Sequence, residues 1–370
     1  MADPMIFQFG TSRFLQAHFD LFAEDARNSG QNVPPIVVVQ SSGAVQRRGR
    51  VSALAGPEGY PVIIRGLEGG QAVSRPLRVH SIFKGLCLPQ DWAELCRLFV
   101  ANAGWVVSNT ADAGYFVAPD EIIDLKGATP AASFPGKLAQ LLYMRYNAVG
   151  AAPIIMPCEL INRNGTALRS LVANIAHRSG ADKNFATWLE NALFTNSLVD
   201  RIVSEPIEPA GAIAEPYALW AIEDAPGLAL PFTHPDIKIV NDLELIERLK
   251  LHILNLGHTV LADIWLTDKR ASDETVREIL TDPKVASKLE EIYKQEVLPG
   301  FAVHGLRSQA EDYIKITMER IKNPFLNHLL ADISENQSIK VSRRISAFLK
   351  WTGQSAPNLA AISARWDIAA

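Results

Sequence analysis

The chain has 370 residues, enough for two domains, and is 48% hydrophobic and 21% charged, the balance of a globular protein with a buried core. A net charge of −4 with a pI near 6.1 argues against nucleic acid as the main partner. Cys87, Cys96 and Cys158 form no C-x-x-C pair, and the start MADPMIFQFG lacks a basic region followed by a long apolar run. The expectations are therefore reduced thiols, a cytoplasmic location, and neither a signal peptide nor a membrane span.

Short apolar runs alternate with helical patterns through the first half. Ile6–Phe9 reads as a strand ending at Gly10, and Phe14, Ala17, His18, Leu21 and Phe22 mark one face of a following helix. Ile36–Val39 is a buried strand after a Pro-Pro break, with Val62–Ile64 and Val79–Phe83 as further strand candidates. A helix over Pro89–Ala101 precedes the strand Trp105–Ser108, and Ile154–Met156 is another strand between prolines. Alternation of this kind predicts an α/β domain built on a parallel sheet, to which Leu198–Val203 and Tyr217–Ile222 can add strands. Beyond about residue 240 the pattern turns helical: Asp242–Trp265, Asp273–Thr281, Pro283–Leu298, Ser308–Ile321, Phe325–Ile333 and Val341–Trp351. The domains are placed at 1–240 and 241–370.

The first helix of the second half carries Lys250, Asn255 and His258 within nine residues. At about 100° per residue, His258 falls about 80° and Asn255 about 140° from Lys250, so one side of one helix can present all three. Leu249, Ile253, Leu256 and Val260 form an apolar stripe on the far side. Leu251, Leu254 and Leu261 flank the polar trio, which predicts a cleft rather than a solvated face. A buried helix with a snorkelling lysine and hydrogen-bonded Asn and His fits the same pattern. The layout puts this helix opposite the carboxyl ends of the sheet strands, where open α/β folds bind ligands.

Gly10-Thr11-Ser12-Arg13-Phe14 lies at the first strand-to-helix turn, where backbone N–H groups can meet a pyrophosphate. Against G-x-G-x-x-G, Ser12 replaces the second glycine and Leu15 the third. The second strand ends at Gln40-Ser41-Ser42, with Arg47, Arg48 and Arg50 beyond. Gln40 suits a 2′-hydroxyl and the arginines suit a 2′-phosphate, so these residues leave NAD and NADP both open. Ser108, Asn109 and Thr110 follow the next strand and are further cofactor candidates, ahead of a turn at Asp112-Ala113-Gly114.

Taken in order, these segments resemble the mannitol dehydrogenase family, the polyol-specific long-chain dehydrogenases and reductases. The resemblance rests on QFGTSRFLQAHF at 8–19, VSNTADAG at 107–114, FPGKLAQLLYMRY at 134–146 and PCELINRNG at 157–165. It continues through NSLVDRI at 196–202, EPYALWAIED at 215–224, the K-x-x-x-x-N-x-x-H spacing at Lys250, Asn255 and His258, and NPFLNHLLADISENQSIKVSRRI at 323–345. Within the family, 134–146 and 157–165 look most like the tagaturonate reductase (altronate oxidoreductase) branch. Polyol-oxidising members tend to carry Asn two residues after the cysteine matching Cys158, where this chain has Leu160.

The resemblance implies a Rossmann-type N-terminal domain, a mainly α-helical C-terminal domain, and metal-independent hydride transfer between NAD, with NADP open, and a secondary alcohol or ketone of a sugar acid or polyol. It makes Lys250 the acid/base, which requires water-poor surroundings. Asn255 becomes an oxyanion donor and His258 a partner for a substrate hydroxyl. Glu159, Asn164, Arg343 and Arg344 are the substrate candidates, with Arg163, Arg320 and Lys340 as further cations for a carboxylate. Asp200-Arg201 reads as an internal structural pair. Family members are often monomers, so a monomer is expected and a dimer stays open. Two other functions also stay open: a mannitol-type polyol dehydrogenase, and a nucleotide-binding sensor without turnover.

Overall fold

The protein is described by a computed structural model over residues 3–42, 48–110 and 112–366, so Arg47 lies outside the described residues. Two compact units result. One takes the chain up to Ile64 and Arg75–Leu243, the other takes Arg65–Ser74 and the chain from Glu244 onward. The expected division at 240 falls beside the cut after Leu243, and ten residues of the first half, Arg65–Ser74, are grouped with the second unit.

The strands are β1 Met5–Phe9, β2 Ile36–Gln40, β3 Tyr60–Glu68, β4 Gln71–Val79, β5 Ile82–Cys87, β6 Ala103–Ser108, β7 Ile154–Pro157, β8 Ser197–Asp200, β9 Val203–Pro206, β10 Ala212–Ala214, β11 Leu219–Glu223 and β12 Ile237–Val240. A five-stranded sheet runs in the order β5-β2-β1-β6-β7 with every neighbouring pair parallel. Its second strand, β2, is buried along its whole length because both faces are covered. Ile6, Val38 and Val107 pack with Leu15, Phe19 and Phe22 on one side. Phe7, Val37, Val39 and Val106 pack with Leu95, Phe99 and Leu142 on the other. Each such side chain contributes about 1.5–3 kcal/mol by leaving water.

Register levels the strand ends. Phe9 is paired with both Val39 and Ser108. Gly10 N–H donates to Val39 O at 3.0 Å, and Asn109 N–H to Phe9 O at 3.0 Å. Gly10, Gln40 and Asn109 are therefore brought to one edge.

The strands expected at 198–203 and 217–222 do not join this sheet. β8 and β11 form a three-stranded sheet with β12, and β9 joins β10, β3 and β4 in a four-stranded one. β4 carried no alternation to read because its residues before Val79 run half-buried or exposed without period. Gly69 and Gly70, at φ 56° and 79°, supply the turn between β3 and β4. The helix after Gly10 is also broken: Arg13–Ala17 and Phe19–Asn28 flank His18, whose backbone sits at φ −126°, ψ −90° and whose ring bonds Leu219 O at 3.0 Å.

The second unit is helical, and wide π-helical turns interrupt its helices at Lys250–Asn255, Tyr293–Val297 and Ser342–Ser346. The expected helix 242–265 is thus Glu244–Leu249, the first wide turn, then Leu256–Thr267. Two expected helices contract, 273–281 to Val276–Ile279 and 325–333 to Leu330–Ser334, and Pro357–Trp366 adds one not anticipated. The short Val276 helix is held by a reciprocal cap between Thr275 and Glu278. No helix among the described residues is long and apolar enough to cross a membrane.

Candidate active site

In the first unit, a cavity of about 310 Å³ opens at the ends of β1, β2 and β6. Gly10, Thr11, Ser12, Gln40, Asn109 and Thr110 line it, with Ser41, Ser42 and Arg50. Six of the nine cofactor candidates are thus brought together. Gly10 is fixed by geometry, because its φ is 118° and a Cβ there would lie 2.5 Å from Asn109 O. A backbone without a side chain at this turn is what close approach of a pyrophosphate needs, so these residues fit a dinucleotide. A second hollow of about 630 Å³ shares Ser41, Ser42 and Thr110 and continues to Ser133 and Lys137.

Three cofactor candidates are placed elsewhere. Arg13 donates to Ile207 O at 2.8 Å and Gly211 O at 3.0 Å and pairs with Glu208 at 2.5 Å, tying the turn to the neighbouring strands. Phe14 stacks on His18 with ring centres 4.6 Å apart. Ser108 is buried and donates to Glu159 at 3.0 Å.

Two substrate candidates are likewise committed to the interior. Glu159 is buried and accepts from Ser108 Oγ, from Thr110 N–H and Oγ1, and from the Tyr115 hydroxyl, at 3.0–3.2 Å. Burial pushes its carboxyl up while these donors pull it down. It braces the Thr110 turn rather than presenting oxygens to a ligand. Asn164 is fully buried: its Nδ2 donates to Pro157 O, Glu159 O and Ser197 O, and its Oδ1 accepts from Gly165 and Ser197 N–H. Arg163 pairs with Glu223 at 3.3 Å, and Leu160 is 71% exposed. Arg201 is structural as expected, but through carbonyls: it donates to Glu215 O, Tyr217 O, Pro216 O and Ala17 O.

In the second unit, Lys250, Asn255 and His258 are all half-buried on a helix whose other residues Leu249, Ile253, Leu254, Leu256, Val260 and Leu261 are buried. The wide turn changes their bearing. With on the order of 80° per residue through an i→i+5 turn, Asn255 comes to about 40° and His258 to about 340° from Lys250. The trio then spans about 60° instead of about 140°. The turn is sustained from outside: the buried Tyr293 hydroxyl donates to Ile253 O at 2.9 Å, supplying a partner where the α-helical ladder is interrupted.

His258 Nδ1 stands 2.9 Å from Leu254 O. A carbonyl only accepts, so Nδ1 carries the proton and Nε2 keeps its lone pair. Burial, then the neighbouring His328, pull His258 down to about 3, and Arg320 and Arg344 act in the same direction. The ring is neutral at pH 7 and can accept from a hydroxyl. Arg344 sits against this helix, donating to Thr259 Oγ1 at 3.0 Å and Asn255 O at 3.4 Å, while Arg343 is exposed. Lys340 donates to Ile333 O at 2.7 Å. His328, its ring centre 5.5 Å from that of His258, lies in the 323–345 segment that resembles the family, where it was not singled out.

Comparison with known proteins agrees with both halves. Residues 5–231 match the mannitol dehydrogenase Rossmann domain, and 242–367 the mannitol dehydrogenase C-terminal domain. The altronate oxidoreductase of Bacillus subtilis (strain 168) is 32% identical over 93% of this chain and 74% of its own length. That of Cronobacter sakazakii is 31% identical over 92% and 73%. Among solved structures, a substrate-free D-sorbitol dehydrogenase superposes with a TM-score of 0.79 at 19% identity, covering 98% of this chain and 80% of the other. The mannitol 2-dehydrogenase of Pseudomonas fluorescens, solved with NAD and D-mannitol, gives 0.71 at 18%, covering 98% and 78%. A parallel sheet with a glycine-gated cavity, a helical unit bearing the Lys-Asn-His spacing, and matches along nearly the whole chain lead to one conclusion: the protein is an oxidoreductase acting on CH–OH groups and belongs to the mannitol dehydrogenase family.

Proposed function

We propose that the protein interconverts a hexuronate ketone and its secondary alcohol, of the tagaturonate/altronate kind, using NAD. The observation that carries the acidic substrate is the positive surroundings of His258. Arg344 donates to Asn255 O at 3.4 Å and to Thr259 Oγ1 at 3.0 Å, the residue next to His258. A carboxylate beside the reacting carbon would offset this charge, whereas a neutral polyol would not.

When bound, nicotinamide supplies or accepts the hydride at C4. Lys250 gives a proton to the ketone oxygen in reduction and takes it back in oxidation. Asn255 donates from its amide to that oxygen as negative charge develops. His258, neutral with Nε2 as acceptor, orients a substrate hydroxyl. The family resemblance, the common bearing of Lys250, Asn255 and His258, and the protonation of His258 support these roles.

The test is turnover of NADH with a hexuronate ketone against fructose. A kcat/KM at least 100-fold higher for the hexuronate is expected. Lys250→Ala should lose at least 1000-fold in kcat with nucleotide affinity retained, on the order of a general acid/base contribution or more. Equal or better turnover of fructose would reject the acidic substrate, and near-normal activity of Lys250→Ala would reject the mechanism.

A further inference from the structure

The residues at the end of β2 say more about the nucleotide than the glycine turn does. In a Rossmann sheet this strand end faces the adenosine ribose, and an acid there holds the 2′- and 3′-hydroxyls while repelling a 2′-phosphate. The position here is Gln40, buried and neutral, with its amide Nε2 donating to Ser42 O at 2.8 Å. No Asp or Glu is among the described residues that line the cavity. Its one charged lining residue among those described is Arg50. Arg50 lies 3.9 Å from Glu208, a carboxylate that Arg13 already holds at 2.5 Å. Ser41 and Ser42 line the same cavity.

We propose that this wall is a 2′-phosphate subsite, with Arg50 as its cation and Ser41 and Ser42 as hydroxyl donors, so that the enzyme accepts NADP(H) at least as well as NAD(H). A phosphate brings negative charge and several acceptor oxygens, and an arginine with neighbouring hydroxyls meets both. The acid that would exclude it is missing from the described lining. The inference rests on the dinucleotide reading of this cavity and extends it from NAD to a nucleotide that carries a 2′-phosphate.

The experiment is calorimetric titration of the full chain with adenosine 2′,5′-bisphosphate and with 5′-AMP, which differ only by the 2′-phosphate. The bisphosphate is expected to bind at least as tightly as 5′-AMP. In Arg50→Ala its affinity should fall at least fivefold while that of 5′-AMP changes less than twofold. Gln40→Asp should reverse the preference, and NADPH and NADH fluorescence titrations should rank in the same way. Weaker binding of the bisphosphate to the unmodified protein, or equal losses for both nucleotides in Arg50→Ala, would overturn the subsite. Failure of both nucleotides and both dinucleotides to bind would overturn the dinucleotide reading itself, and the subsite with it.

Discussion

Gly257 and Tyr293 are predicted to be energetically inseparable. A Cβ on Gly257 would collide with the Tyr293 hydroxyl and lie 3.1 Å from Cζ. Tyr293 is 2% exposed and donates to Ile253 O at 2.9 Å, so it has little room to retreat. Gly257→Ala should cost about 1–3 kcal/mol from overpacking. Expelling the hydroxyl leaves a buried carbonyl unsatisfied for about another 1–3 kcal/mol. The helix preference of Ala over Gly returns about 1 kcal/mol. The net loss is about 1–5 kcal/mol. Tyr293→Phe alone should lose about 1–3 kcal/mol, since it removes the donor but not the ring. In the Tyr293→Phe background the shortest clash is gone and only the 3.1 Å contact with the ring remains, so Gly257→Ala should cost clearly less there, about 0–2 kcal/mol after the helix preference of Ala is counted. Urea unfolding of all four proteins, followed by tryptophan fluorescence, measures the coupling. An equal cost of Gly257→Ala in both backgrounds would refute the reasoning, because it would mean that the hydroxyl does not set the space at Gly257.

Gly10→Ala places a side chain 2.5 Å from Asn109 O at a φ of 118°. It should destabilise the fold by about 1–3 kcal/mol from backbone strain alone and weaken 5′-AMP binding; unchanged affinity would remove Gly10 from the nucleotide site. Asp20 is fully buried beside the Tyr60 hydroxyl at 2.8 Å, and burial pushes its carboxyl from 3.8 up to about 7. The folded state then holds the proton more tightly than the unfolded chain. Its stabilisation is complete below about pH 3.8 and is lost as pH rises through about 7, a difference of up to about 4 kcal/mol. Asp20→Asn should therefore gain on the unmodified protein steadily between pH 4 and 7 in urea unfolding, and parallel curves would contradict the shift.

The sheet was legible where both faces are covered, since burial on two sides demands uninterrupted apolar runs such as Ile36–Val39. It was not legible at β4, whose side chains are mostly exposed and so obey no period. The strand ends pointed to the cavity because register alone gathers Gly10, Gln40 and Asn109. Residues a few steps further, Arg13 and Phe14, turn with the helix into other packing. Glu159 and Asn164 misled for a different reason: buried main-chain groups need partners, and a polar side chain in a loop can serve them instead of a ligand. The angular spread expected for Lys250, Asn255 and His258 was too broad, because the wide turn leaves no periodic mark near Lys250 and its partner Tyr293 lies forty residues beyond Ile253.

The ten residues Arg65–Ser74 give the molecule an order of assembly. They belong to the helical unit, where Gly70 N–H donates to Glu319 at 2.8 Å and the Arg65 guanidinium lies 5.4 Å over Phe325. Their partners leave the ribosome some 250 residues later, so the hairpin tip waits through most of synthesis. Closing so long a loop costs entropy before any contact rewards it. A fragment ended at Leu243 would carry an unserved tip, and a fragment begun at Glu244 would lack a piece of its own surface. Division of this chain by sequence position yields two incomplete bodies; complementation by co-expressed halves would have to pass this hairpin from one polypeptide to the other.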